Sequence, residues 1–433
     1  MSWIKKCAIN VGLVVFGILL ALSIVEGFLR IIDYKKSIGA RQMRYYFMPD
    51  SAAGFDIAYN CPERRVHHEG NYYYKIWSNE LGCLDKPYVN ENNYVLLVGD
   101  SFTHHFGAFE NKWGTLVEDF IGTRVLKCGV AGYGTKQELI KAEKIIAKVK
   151  KPPKLIVLGY FMNDLDDDYR FPPFICIDGF LVEKRKIIDY KNGIIEEKDS
   201  SYLDRRAKKY AEKVTCSKYD ECSACSSFFK KVKCWITEEA LVSHKIESIA
   251  SQIKSSIRTL KGKFSKDEIK GELPLELDML AFYPLKDFPW LQNAWERNLE
   301  NLRSFKKLAE DNNAELLVVI IPAKEQVYTY TVKNKKIDLE QPNKFLRSFF
   351  EKEKIHYIDL LIPFRKYADK KEKQWMDPEK DLYMRLDKHW SKKGDMLTGL
   401  LVSKFIIENN LVGIDSKNSE KINIIREKLK SFN

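Results

Sequence analysis

The 433-residue sequence has no internal repeat, no low-complexity tract and no arginine-rich block, and it holds only seven histidines. It also lacks any zinc-finger, helix-turn-helix or RNA-binding signature, so a net charge of +12 does not by itself point to nucleic acid. That charge is spread along the chain. Most of its lysines read as plain solvated side chains, and the surplus suits an anionic lipid surface or an acidic glycan. Hydrophobic residues make up 45% and aromatics 12%, enough for a substantial core, which excludes global disorder. The length exceeds one average domain, and a single large α/β domain with insertions fits it too.

Charge is missing most completely near the N-terminus. Ala8 to Val25 is an uncharged, almost wholly apolar run of 18 residues preceded by Lys5 and Lys6. With its flanks, such a helix approaches the ~30 Å hydrocarbon core of a bilayer. Glu26 and Arg30 follow four apart on one helical face, where they can pair near the interface. A cleaved signal peptide is the competing reading, because Ala21-Leu22-Ser23 offers small residues near the end of the run. The length of the run and the continued helical pattern through Phe28–Ile32 favour an uncleaved anchor over residues 1–35. Arg30, Lys35, Lys36, Arg41 and Arg44 outnumber Lys5 and Lys6, and charge counting alone would place the main domain inside.

Four of the nine cysteines, Cys216, Cys222, Cys225 and Cys234, fall in one short segment spaced C-x5-C-x2-C-x8-C. The others, Cys7, Cys61, Cys83, Cys128 and Cys176, are scattered. The cluster fits two disulfides outside the cytoplasm, a four-thiolate zinc site inside it, or unlinked thiols. Its spacing lacks the symmetry of a zinc ribbon, which favours disulfides, and no metal is assigned.

Residues 36–93 read as an irregular extension with turn signals at Ser51–Gly54, Cys61-Pro62 and Leu81-Gly82. Short apolar runs then recur at Tyr94–Val98, Arg124–Val130 and Lys154–Tyr160, each ending in a turn and separated by helical patterns. This is the rhythm of a parallel α/β sheet. It stops across 171–285, a Lys-rich insertion or cap with an amphipathic helical pattern around Thr237–Leu260. It resumes over 286–412 with a helix from Trp290 to Asn312, strands at Ala314–Ile321 and Ile355–Leu360, a loop at Leu382–Trp390, and an apolar-faced helix from Gly394 to Asn409. Residues 413–433 form a basic helical tail.

Ser101 lies directly after the first buried strand, in Gly99-Asp100-Ser101-Phe102. Ligands of open α/β sheets bind outside the carboxyl ends of the strands, so a serine there presents its hydroxyl to a crevice. Its backbone N–H, at a helix start, can stabilise an oxyanion. The plainer reading is that Asp100 or Ser101 caps the following helix. Gly132, in a glycine-rich turn, and Asn163, at the third strand end, each offer a further donor to the same crevice, although Gly turns and Asn-Asp caps are common separately. A serine nucleophile needs a base with an orienting acceptor. His104 and His105 follow Ser101 too closely to aim back at it and read as substrate-facing or exposed. His67, His68 and His244 sit in irregular or inserted segments, and His356 alternates with apolar residues in a strand. His389 lies in the loop before the last apolar helix, with Asp387 two residues upstream, close enough to accept the Nδ1 proton.

GDSF at 99–102, GVAGYG at 129–134, GYFMND at 159–164 and DKHW at 387–390 together resemble the four signature blocks of the SGNH (GDSL-type) hydrolases. The resemblance runs from about Tyr94 to Asn410, interrupted by the insertion. It implies a three-layer, flavodoxin-like α/β sandwich around a parallel sheet, with Ser101, Asp387 and His389 as catalytic triad and Ser101, Gly132 and Asn163 as oxyanion hole. Asp100, Asp164 and Trp390 would be supporting residues, and no cofactor is needed. The anchor with its Glu26/Arg30 pair is similar to a bacterial branch that acylates cell-envelope or exported polysaccharides. That likeness implies an extracytoplasmic catalytic domain on a single-pass anchor, an acylated glycan or other ester as substrate, and a membrane-bound O-acyltransferase as partner. The Asp-x-His spacing, shorter than the common Asp-x-x-His, with Trp390 after it, is similar to the polysaccharide-acting branch. A lipid esterase or thioesterase at the membrane surface and a non-catalytic SGNH-fold scaffold are the alternatives.

Overall fold

Five apolar runs become five strands of one parallel sheet in the computed structural model. They are β1 (Tyr94–Gly99), β2 (Arg124–Lys127), β3 (Leu155–Tyr160), β4 (Glu315–Ile320) and β5 (His356–Asp359). Their spatial order is β5-β4-β3-β1-β2, all parallel, which is the flavodoxin-like 2-1-3-4-5 arrangement. The order reverses between β1 and β3, the point at whose carboxyl ends open α/β sheets bind ligands. The structure describes residues 3–31, 46–68, 72–213, 279–328, 337–368, 381–384, 388–413, 418–430 and 432.

Every residue of β1 and β3 is buried, because helices cover both faces of the sheet. Helices Trp113–Ile121, Lys392–Glu408 and Asn418–Lys430 pack together, and helices Thr135–Val149, Asp164–Tyr169 and Leu291–Asp311 form a second group. The core between them is rich in Leu, Ile and Val, each worth about 1.5–3 kcal/mol when fully buried.

The extension expected to be irregular contains two antiparallel hairpins, Phe47–Asp50 with Gly54–Ile57 and Arg64–His68 with Tyr72–Ile76. The first hairpin is built into the fold. Tyr133 Oη donates to Phe55 O, Gln137 Nε2 donates to Ala53 O at 2.6 Å, and Lys141 Nζ sits 2.6 Å from Asp56 Oδ1 in a buried ion pair. A disulfide joins Cys83 to Cys128, so the loop before β1 is tied to the end of β2. Two further hairpins, Phe174–Ile177 with Phe180–Glu183 and Arg185–Asp189 with Ile194–Glu197, follow β3 without joining the central sheet. Cys216, Cys222, Cys225 and Cys234 and the helix expected near Thr237–Leu260 lie outside the described residues.

The N-terminal segment forms a helix, Trp3–Ile31, on which Leu13, Phe16, Leu20 and Ile24 are exposed. Among the described residues no helix is long and apolar enough to cross a membrane, so the spanning anchor expected for residues 1–35 is not supported. Glu26 is buried, while the Arg30 side chain lies outside the described residues.

Candidate active site

Ser101 opens a single helical turn, Ser101–His104, at the carboxyl end of β1. Asp100 takes the capping role: its Oδ1 accepts from Phe102 N–H at 2.9 Å, and its Oδ2 accepts from Ser101 Oγ at 3.1 Å. The turn can fold this tightly because Gly99 precedes it at φ +154°. A β-carbon on Gly99 would lie 2.2 Å from Thr103 Oγ1, and one on Gly159 of the neighbouring strand would lie 2.5 Å from the same oxygen. Thr103 is thus seated between two glycines, and the serine stands over the crevice. The local chain order at the first strand end therefore serves the cap and the hydroxyl at once.

His389 arrives from the other end of the sequence. Its Nε2 is 2.7 Å from Ser101 Oγ, across 288 residues of chain. The loop that carries it is pinned by Met384 N–H to His389 O at 2.9 Å and Ser391 N–H to Leu382 O at 3.0 Å. Ser391 then caps helix Lys392–Glu408 by accepting from Lys393 and Gly394 N–H. The imidazole is boxed by Phe102 and Phe106, with ring centroids 4.9 and 4.6 Å away. Trp390 is buried beneath, edge-on to Phe102 at 4.9 Å. Asp387 lies outside the described residues, which leaves its part in the site an expectation.

The two remaining strand ends converge on the same edge. Val130 N–H donates to Gly99 O at 2.9 Å, bringing the glycine-rich turn against the serine turn. Gly132 there has φ +84°, a conformation that suits glycine, and a β-carbon on it would meet only Phe55 Cζ, at 3.8 Å. Beyond β3, Asn163 begins helix Asp164–Tyr169, and its Nδ2 donates to Asp167 Oδ2 at 3.0 Å. That bond uses one of two amide hydrogens, so one donor is left for the crevice. Asp164 folds back to accept from Phe161 N–H at 3.2 Å.

Sequence reasoning missed the acidity under the serine. Asp100, Glu138 and Asp164 are fully buried, and Asp167 and Asp168 are nearly so. Burial pushes Asp100 up to about 6, against the pull of Phe102 N–H, His389 and Ser101. Burial and then the neighbouring carboxylates push Glu138 and Asp164 well above the usual carboxyl range. Burial lifts Asp167 to about 7 even though Arg170 pairs with it at 2.6 Å. Low-dielectric surroundings penalise charge, and five carboxyls this close cannot all ionise. Acidic residues scattered between Asp100 and Asp168 give no hint in the sequence of this gathering.

His104 and His105, expected to face substrate or solvent, are both buried. His105 turns inward towards Asp395 of helix Lys392–Glu408, 3.2 Å away, and the His104 ring lies 5.5 Å from that of Phe106. His356 is half-exposed beside Glu315, 3.7 Å away, and far in the sheet from Ser101, at the edge strand β5. The side chains of His67 and His68, and all of His244, lie outside the described residues.

A family model described as "SGNH hydrolase-like domain, acetyltransferase AlgX" matches residues 285–424. Over that segment the chain is similar to the SGNH hydrolase-like domains. The matched segment contains His389 and Trp390 and stops short of Ser101, so family model and site geometry meet at the histidine loop. Among solved structures, the chain is similar to a GDSL-like lipase from Bacteroides thetaiotaomicron VPI-5482, at 11% identity over 74% of this chain and 91% of that one, with a TM-score of 0.32. It is also similar to a carbohydrate acetylesterase family member from Sinorhizobium meliloti, at 11% identity over 74% of this chain and 100% of that one, with a TM-score of 0.29. No curated protein sequence matches the chain.

Proposed function

We propose that this SGNH protein cleaves or transfers an ester through an acyl-Ser101 intermediate, with an acylated glycan of the cell envelope, or one exported through it, as substrate. The observation that carries the reading is the 2.7 Å approach of His389 Nε2 to Ser101 Oγ, with the imidazole held between Phe102 and Phe106. At that distance His389 takes the serine proton as Oγ attacks the acyl carbonyl, then returns it to the leaving alcohol. Ser101 N–H, Gly132 N–H and the second amide hydrogen of Asn163 receive the oxyanion, and Asp387 orients the base. Water or a sugar hydroxyl then attacks the acyl-serine and releases the acid or the new ester. The acetyltransferase description of the matching family and the short Asp387-x-His389 spacing favour an acetyl group and a glycan over a long-chain lipid.

Residues 1–35 would hold the protein at a membrane, with the SGNH domain outside the cytoplasm beside a membrane-bound O-acyltransferase. The uncharged run Ala8–Val25, whose described side chains pack on nothing over much of their length, supports the attachment, and the Cys83–Cys128 disulfide suits an oxidising compartment. The activity test is hydrolysis of p-nitrophenyl acetate, acetylated sugars and long-chain esters by the full chain and by Ser101→Ala. Turnover of the acetyl substrates that Ser101→Ala abolishes supports the proposal. A preference for long chains would replace it with a lipid esterase, and no turnover or serine labelling would replace it with a scaffold. Alkaline phosphatase fused beyond Tyr45 that stays inactive, as this disulfide-dependent enzyme does in the cytoplasm, would overturn the proposed localisation.

A further inference from the structure

The serine turn ends on His105, whose N–H donates to Ser101 O at 3.0 Å and whose φ is +70°, a region side chains other than glycine seldom enter. Its ring is nearly sealed from solvent, with Nδ1 3.2 Å from Asp395 Oδ1 and the two side chains 5% and 1% exposed. On the far side, the ring lies so close to Gly107 that a β-carbon there would stand 2.7 Å from Nε2. Asp395 sits in the first turn of helix Lys392–Glu408, its N–H donating to Ser391 O at 3.0 Å, six residues after His389. Lys112 and Trp113 N–H, at the start of helix Trp113–Ile121, also face this carboxylate, and that helix packs along Lys392–Glu408. One member of the pair is therefore four residues from the nucleophile, and the other is six from the base.

We infer that His105 and Asp395 are positioning residues that fix the Ser101 turn against the helix carrying the His389 loop and so set the Ser101–His389 approach. The inference rests on the serine-hydrolase reading above. Neither side chain takes part in the proton transfer. They act because the nucleophile and base come from segments 288 residues apart, whose spacing tertiary contacts must hold. The buried pair joins the segment that carries Ser101 to the segment that carries His389. A displacement of about 1 Å at such a site can cost about 100-fold in rate.

The test compares His105→Ala, His105→Asn and Asp395→Asn with the parent full-length chain. Asparagine tolerates φ > 0 and places an amide N–H where Nδ1 stands, so His105→Asn keeps a donor to Asp395, and alanine does not. For each variant, the rate of Ser101 labelling by a fluorophosphonate is measured per folded molecule, well below the melting temperature, alongside kcat and KM for p-nitrophenyl acetate. His105→Ala and Asp395→Asn should lower labelling and kcat by about 10- to 100-fold with KM little changed, and His105→Asn should stay within about threefold of the parent. Variants that melt earlier but label at the parent rate would show a purely structural pair and overturn the inference. So would equal losses in His105→Ala and His105→Asn. Failure of the parent itself to label would instead overturn the serine-hydrolase reading.

Discussion

Replacing Lys141 by methionine should destabilise the protein by about 3–5 kcal/mol, because it strands a buried carboxylate. Lys141 Nζ and Asp56 Oδ1 are 2.6 Å apart, with side chains 1% and 2% exposed, and the ammonium also donates to Gly82 O at 2.8 Å. At an effective dielectric of about 20, the gross attraction at that distance is about 6 kcal/mol, most of it offset by the cost of burying both charges. Removing only the lysine leaves most of that burial cost without an offset. Urea and thermal unfolding of Lys141→Met, of Asp56→Leu and of the double variant would measure the effect. The double variant should recover most of the loss, short by about 1 kcal/mol because Ile57 N–H also donates to Asp56 at 2.7 Å. A cost below about 1 kcal/mol for Lys141→Met would show that the Phe47–Ile57 hairpin is not part of the folded unit, refuting its support of the Gly132 turn through Tyr133 and Gln137.

Glu138 is buried, and among the described residues neither of its carboxyl oxygens has a hydrogen-bond partner. Its folded pKa is raised well above the ordinary value, so the folded chain keeps a proton that the unfolded chain loses as pH rises past about 4.5. Stability from this group is full below that pH and declines above it. Glu138→Gln should then gain on the parent as pH rises from 5 to 8 in melting experiments, whereas a constant difference would contradict the shift. Glu118 works in the opposite sense: burial would raise it, but Lys127, Val125 N–H and Arg124 hold it at about 2. Its contribution is present above about 4.5 and fades as pH falls towards 2, so Glu118→Gln should flatten the acid limb of the stability profile. Asn163→Ala should reduce ester turnover by about 100- to 1000-fold while costing about 1 kcal/mol for the lost bond to Asp167.

The sheet was legible because its strands are uninterrupted apolar runs. Tyr94–Val98, Lys154–Tyr160 and Ala314–Ile321 were each placed within a residue or so of β1, β3 and β4, since a strand buried on both faces leaves no polar position to blur its ends. Ser101 and His389 could be paired from sequence because each follows a strand or precedes a helix at the edge where an α/β sheet binds ligands. The hairpins between Phe47 and Ile76 were not legible. Strands such as Arg64–His68 and Tyr72–Ile76 are short and mix charge with aromatics, so neither carries the alternating apolar pattern that marks a strand in sequence. The Cys83–Cys128 link joins a loop to a strand end 45 positions away, a pairing that spacing alone does not indicate. His104 and His105 were misplaced outward because a four-residue turn has no periodicity from which its inner face can be read.

The central claim is that Ser101 carries the acyl group. Intact and peptide mass spectrometry of the full chain, quenched within seconds of mixing with p-nitrophenyl acetate, should show one added acetyl group on Ser101. The adduct should accumulate in Asn163→Ala only as slowly as that variant turns over, and it should be absent in Ser101→Ala. Turnover by the parent without any adduct on Ser101, or an adduct that persists in Ser101→Ala, would contradict the account.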